Sequence, residues 1–416
     1  MNNKKTLLNI AKESISELNA GKLLQKELAN FQTDKKLLLI SIGKAAWQMA
    51  ETAIDLLGNR IEQGFVITKY HHLKGEIKNC KIYEAGHPFP DKNSLKATDT
   101  ILKEIENISE DYEILFLISG GGSSLFEKTI SGISLAELID LNQKLINSGA
   151  TINEINTVRK HVSAVKGGRF AQLLSPRKIH SFILSDVIGD DISMIASGPV
   201  SADQSTSEQA LELLAKYNIR VSENVRKAIQ IETPKSITNA ENKVIGNVEL
   251  LCRKAAEISQ GKGFEVKVGK TSFRENLEIV AEEIFNETKT AKIDSLEHSK
   301  PVILIFGGEP IIKISGNGKG GRNQHLALLM AKKIAGMKGV SFLSIASDGT
   351  DGPTDAAGGF VDENTFPKIK EMQIDFDKEI EACNSYFVLS KIDALKKTGP
   401  TGTNVNDLML VLIDSE

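Results

Sequence analysis

The residues best suited to chemistry lie at the ends of short apolar runs. Ser119-Gly120-Gly121-Gly122-Ser123-Ser124 follows Ile114–Ile118. Three consecutive glycines turn a chain sharply and let successive backbone N–H groups converge on an anion, phosphate above all. Lys44 follows the run Leu-Leu-Leu-Ile-Ser-Ile in Gly43-Lys44-Ala45-Ala46, where a strand meets a helix. A cation at that positive helix end pairs naturally with an anionic ligand. Four glycines in seven residues, Gly316–Arg322, carry Lys319 and Arg322 into another helix. Arg322 there can offer a planar, always-charged fork to a phosphate or carboxylate.

Carboxylates gather at similar places. Asp186 and Asp190 follow the apolar run His180–Leu184, and Asp348, Asp351 and Asp355 follow Ser341–Ala346. Asp348 and Asp351 suit Mg²⁺ ligation, and they suit an Asp- and Gly-rich turn equally well. The closing Glu and the ligand spacing of an EF-hand are absent. His87 lies on a constrained Gly-His-Pro loop, where a lone His serves structure or substrate. Lys166 precedes Gly167-Gly168-Arg169 and extends the basic segment that starts at Arg159. A helix through Asn156–Arg169 would place Asn156, Arg159 or Lys160, and Ser163 on one face.

Cations, backbone nests and Mg²⁺ ligands together are what phosphoryl transfer needs, since its transition state spreads negative charge over oxygens. Familiar phosphate and nucleophile motifs are missing. Gly43-Lys44 has neither the upstream Gly nor the hydroxyl of a P-loop, and Gly120–Leu125 does not complete Gly-x-Gly-x-x-Gly. Gly121–Leu125 lacks the final Gly of a nucleophile elbow. The residues alone point to an anionic, nucleotide-like ligand held between two α/β domains.

The elements that must position these residues alternate between apolar strand, Gly-rich polar loop and helix. Such loops begin near Gly43, Ser119, Ser185, Gly307 and Ser347. That alternation predicts an α/β fold whose ligands sit at the carboxyl ends of strands. The less regular, Pro-bearing stretch Glu232–Ala240 sets the expected boundary, giving domains 1–236 and 237–416.

The chain has 416 residues, 41% hydrophobic and 25% charged, with a formal net charge of −3. This gives no general attraction to nucleic acid or to an anionic membrane. Three widely spaced cysteines, Cys80, Cys252 and Cys383, make no disulfide framework and suit a reducing cytosol. No apolar run approaches the roughly 20 residues of a membrane span, and the start lacks a signal-peptide core.

Taken together, the motifs resemble the type II glycerate 2-kinases, whose C-terminal half is called MOFRL. The stretches are Gly43-Lys44-Ala45-Ala46, Gly86-His87-Pro88, Ser119–Ser124, Asn156-x-Val-Arg-Lys-His161 and Lys166-Gly167-Gly168. Leu184–Asp190, Gly198-Pro199, Gly307-Gly308-Glu309, Gly320–Gln324, Asp348–Asp355 and Thr401–Asn404 follow in order. The resemblance implies a larger N-terminal domain with a Rossmann-like parallel sheet, a smaller C-terminal α/β domain, and substrates in the cleft between them. It implies transfer of the γ-phosphate of ATP to the 2-hydroxyl of D-glycerate with Mg²⁺ or another divalent cation. Ser119, Gly120, Gly121, Gly122, Ser123, Ser124 and Lys166 would then hold the nucleotide. Lys44 and Arg322 would neutralise the transferring phosphoryl and orient glycerate, with His87 beside the substrate. Asp186 and Asp190 would assist the hydroxyl or the metal, and Asp348 and Asp351 would bind the metal. A cytoplasmic enzyme with small-molecule partners is expected, and a homodimer is compatible with it. Two rivals are an NAD(P)H-dependent hydroxypyruvate reductase and a non-catalytic nucleotide-binding protein.

Overall fold

Strands that are apolar at every position, not at alternate ones, belong in a parallel sheet covered on both faces. A computed structural model, which describes residues 2–298, 300–314 and 316–414, has this arrangement in the first of two units. That unit spans Ala20–Ile245. Its strands are β1 (Leu37–Ile42), β2 (Ile61–Lys69), β3 (Cys80–Ala85), β4 (Glu113–Ile118), β5 (Ile179–Leu184) and β6 (Ala240–Gly246). Every residue of β1 and β5 is buried. The sheet order is β3-β2-β1-β4-β5-β6, and β1–β2, β2–β3, β1–β4 and β4–β5 pair in parallel.

This is the strand order of Rossmann-type sheets, which reverses direction between β1 and β4. Loops leaving those two strands diverge and open a crevice. Register fixes what lies there. Ile42 pairs with Ile118, so Gly43 and Ser119 emerge side by side. Beneath them Phe116, Phe126 and Phe170 pack with Ile40, Ile42 and Ile118. The Phe126 and Phe170 rings meet edge to face, 4.9 Å between centroids. Burying each such side chain contributes about 1.5–3 kcal/mol, which anchors the floor of the crevice.

The helix Ile152–Val162 starts at a Thr151–Glu154 capping box. It ends at Val162, so no single helix runs through Asn156–Arg169. Gly167 and Gly168 take left-handed backbone angles, φ 57° and 82°, which a helix cannot include. A new helix begins at Arg169.

The second unit combines Met1–Asn19 with Gly246–Glu416. Its strands are β7 (Glu265–Val268), β8 (Val302–Gly308), β9 (Val340–Ala346), β10 (Gly358–Asp362), β11 (Leu395–Lys396) and β12 (Asp407–Ile413). They form a mixed sheet in the order β11-β10-β9-β12-β8-β7. The C-terminal strand β12 is central, antiparallel to both β8 and β9, and buried throughout. The helix Arg322–Lys333 packs on β9 and β10.

The units differ from the expected 1–236 and 237–416 at both ends. Strand β6 completes the first sheet and carries that unit past residue 236. The first helix, Asn3–Glu17, buries Leu7, Ile10, Ala11 and Ile15 and packs against Val248–Gly261 in the second unit. Its amphipathic pattern requires a partner without specifying which one. No helix among the described residues is long and apolar enough to cross a membrane.

Candidate active site

At the end of β1 the chain turns through Gly43, Lys44 and Ala45; at the end of β4 it turns through Ser119, Gly120 and Gly121. Backbone bonds join the two turns. Ser119 N–H donates to Ile42 O and Lys44 N–H to Gly120 O, both at 2.9 Å. The Ser119 hydroxyl donates to Ile42 O and accepts from Ala45 N–H at 3.0 Å. Gly43 is required here. Its φ is 115°, and an added Cβ would lie 2.2 Å from Ser119 Oγ.

His87 and Lys44 flank Gly121. A Cβ on Gly121 would lie 2.9 Å from His87 Cδ2 and 3.5 Å from Lys44 Cγ. Burial pushes the His87 imidazole down to about 4, and the nearby charges of Lys44, Lys69 and His72 add to this. His87 is therefore neutral at physiological pH, and Lys44 supplies the charge. Among the described residues no acceptor takes the N–H of Gly120 or Gly121. Two unengaged backbone donors beside a lysine form an anion nest.

The serines have other tasks. Ser123 Oγ lies 2.7 Å from Ser197 Oγ, and Ser197 donates to Asn156 Oδ1 at 3.1 Å. With its proton on Asn156, the Ser197 hydroxyl accepts that of Ser123. Ser123 is left as an acceptor, which is wrong for a phosphate. Ser124 donates to Gly121 O at 3.3 Å. The hydroxyl protons of Ser119, Ser123 and Ser124 are thus engaged within the protein.

Ala196, Ser197 and Gly198 all have positive φ, 50°, 61° and 65°. Two consecutive non-glycine residues in this region are strained, and strain of this kind clusters at functional sites. The strained turn is braced by the Lys-Gly-Gly segment. Gly167 N–H donates to Ser197 O at 3.0 Å, and Gly168 N–H donates to Gly198 O at 2.7 Å. Lys166, expected to bind nucleotide, is fully buried. Its ammonium lies 2.9 Å from Glu127 Oε2 and donates to Phe126 O at 3.1 Å. Burial holds its pKa below the usual lysine range while Glu127 opposes the shift. Lys166 thus spends its ammonium inside the fold, on Glu127 and the Phe126 carbonyl. Sequence reading missed Glu127 as its partner; the only signal was an acid three residues beyond Ser124.

Asp186 and Asp190 lie on the loop after β5, the strand beside β4. Both are partly buried, and Asp190 adopts φ 52° with its N–H on Val187 O.

In the second unit Arg322 opens its helix. Its Nε and Nη2 grip Asp407 Oδ2 and Oδ1 at 2.5 and 3.2 Å, and its Nη1 reaches Glu309 Oε1 at 2.8 Å. Burial alone would lower its pKa; Asp407 and Glu309 outweigh that and hold it above the usual arginine range. A guanidinium has five N–H donors; three are engaged, so two remain. Sequence reading missed Asp407 as the partner because it lies 85 positions away.

Both residues of the expected metal pair, Asp351 and Asp348, accept local hydrogen bonds. Asp351 is 2% exposed and caps the Arg322 helix. Its Oδ1 accepts from Asn323 N–H at 3.1 Å, and its Oδ2 accepts from Gln324 N–H at 2.9 Å. Burial raises its pKa to about 6. Asp348 accepts from the N–H and hydroxyl of Thr350 at 2.9 and 3.1 Å, a turn-type contact. Among the described residues no group of three or more His, Cys, Asp or Glu is arranged to hold a metal ion.

Fold and site define a doubly wound α/β protein with an anion nest at the switch point of its first sheet. Residues 6–230 match a domain of unknown function, DUF4147, and residues 302–407 match the MOFRL family. The D-glycerate 2-kinase of Thermotoga maritima is 46% identical over 410 residues, covering 99% of this chain and 98% of that one. A crystal structure of glycerate kinase from the same organism superposes with a TM-score of 0.93, covering 99% of each chain. The glycerate 2-kinase of Pyrococcus horikoshii is 39% identical, over 96% of this chain and 93% of its own. An Agrobacterium vitis relative, 35% identical over 91% of this chain and 87% of its own, bears a different name, hydroxypyruvate reductase. The chain belongs to the glycerate 2-kinase family.

Proposed function

We propose that this chain is an ATP-dependent glycerate 2-kinase that transfers the γ-phosphoryl group of ATP to the 2-hydroxyl of D-glycerate. The observation that carries the proposal is the nest at the switch point, where Gly120 and Gly121 N–H groups lie beside Lys44. The two amides take phosphate oxygens, and the Lys44 charge meets the negative charge that develops on the transferring group. Arg322 of the second unit keeps two unengaged donors, which suit a phosphate or carboxylate, with its charge secured by Asp407 and Glu309. Asp186 accepts the proton of the 2-hydroxyl as its oxygen bonds to phosphorus and the bond to the leaving ADP oxygen breaks. Asp190 shapes that loop. A divalent cation, Mg²⁺ or another, enters with the nucleotide as substrate. The reaction runs in the cytoplasm, where the three free cysteines are at home.

The reductase reading needs a nicotinamide dinucleotide, and the loop after β4 lacks the third glycine of that fingerprint. A turnover assay with ATP, Mg²⁺ and D-glycerate tests the proposal. ADP release that depends on D-glycerate supports it; NAD(P)H oxidation with hydroxypyruvate, and no ADP, supports the reductase.

A further inference from the structure

Between Arg159 and Arg169 the first unit carries five basic residues, and four of them have evident partners. Lys160 Nζ lies 3.2 Å from Asp203, and His161 Nδ1 lies 2.8 Å from Thr157 O. Lys166 holds Glu127. Arg169 donates to the carbonyls of Lys160, Ser163 and Ile231 at 2.8–2.9 Å. Arg159 differs. Among the described residues its guanidinium has no hydrogen-bond acceptor, and its Nε is buried. A desolvated, permanently charged fork without an acceptor is costly to keep unless something fills it.

Its position says where the occupant lies. Arg159 follows Asn156 by one turn on the same helix face. Asn156 is tied through Ser197 to Ser123 of the nest. Charge says what the occupant is. Arg159, Lys166 and Glu127 interact electrostatically, two cations and one anion. One positive charge is left over, which matches a singly charged ligand. A phosphate chain carries more charge and already has backbone donors at Gly120 and Gly121. A carboxylate carries one charge and fits the Arg fork with two parallel hydrogen bonds.

We propose that Arg159 binds the carboxylate of the acceptor hydroxy acid, and so selects an acid over a neutral polyol. This rests on the kinase reading of the same site. The test is calorimetric titration of the full chain with D-glycerate, and separately with ADP, for wild type, Arg159→Met and Arg159→Lys. Losing charged hydrogen bonds converts to a drop of roughly tenfold to a hundredfold in D-glycerate affinity for Arg159→Met. Arg159→Lys keeps the charge but not the fork, and should fall between the two; it decides the matter if Arg159→Met does not fold. ADP affinity should not change. In steady state the KM for D-glycerate should rise more than kcat falls. Unchanged D-glycerate affinity in both variants overturns the proposal. So does a loss confined to ADP, which would assign Arg159 to the nucleotide phosphates. Wild type that binds D-glycerate without phosphorylating it defeats the kinase reading, while the affinity comparison still judges Arg159.

Discussion

Lys44 donates its backbone N–H to the carbonyl of Gly120 at 2.9 Å, which makes the turns after β1 and β4 one structure. The nest and its cation are therefore set by the main chain. The Lys44 side chain makes none of these backbone bonds and can be changed without breaking them.

Lys44→Ala should remove charge from the site and leave the turn intact. The expected loss is about 10²–10³-fold in kcat, the usual effect of deleting one preorganised electrostatic contact. Steady-state kinetics beside a thermal melt check this. Near-normal turnover would remove Lys44 from the reaction.

Gly121→Ala should damage function more than stability. The left-handed backbone costs a non-glycine residue about 1–2 kcal/mol. The new methyl would also press on the His87 ring, 2.9 Å from Cδ2. Turnover should fall well below that of wild type while the protein still melts cooperatively. Full activity would show that the Gly121 amide and His87 lie outside the site.

Lys166→Met should act on stability and not on nucleotide affinity. It removes the ammonium that lies 2.9 Å from buried Glu127, and breaking a buried ion pair costs roughly 3–5 kcal/mol. Glu127→Gln in the same chain should restore part of that loss. Chemical denaturation of the single and double variants measures both. A Lys166→Met protein of wild-type stability with a raised KM for ATP would return Lys166 to the nucleotide.

His87 gives a pH signature. Its folded pKa is about 4, below the ordinary histidine value near 6.5. Between those pH values the unfolded chain binds more protons at this group than the folded one. The His87 contribution to stability is therefore lost as pH falls from about 6.5 to about 4, with no further loss below that. His87→Asn should flatten this part of the stability profile, and NMR titration should find the imidazole neutral at pH 6. An imidazole titrating near 6.5 would contradict the burial.

The strands and the loops that end them were legible because parallel strands are apolar throughout and ligand loops need glycine. Strand ends near Ile42, Ile118, Leu184 and Ala346 could be read directly. The roles of Lys166 and Asp351 were not legible. A lysine beside two glycines looks the same whether it faces a ligand or a buried Glu127. An aspartate in a Gly-rich loop looks the same whether it holds Mg²⁺ or caps the helix at Asn323. The difference lies in desolvation and in a partner elsewhere in the chain, as with Arg322 and Asp407. The first helix shows the same limit, since amphipathicity requires a partner and does not name the unit that supplies it.

The central claim is transfer of phosphate from ATP to the 2-hydroxyl of D-glycerate, and phosphorus NMR of the full reaction tests it most directly. With ATP, Mg²⁺ and D-glycerate, the expected result is ADP together with 2-phosphoglycerate in equal amounts. A 3-phosphoglycerate resonance would contradict the assigned acceptor oxygen, and an unchanged ATP spectrum would contradict the kinase itself.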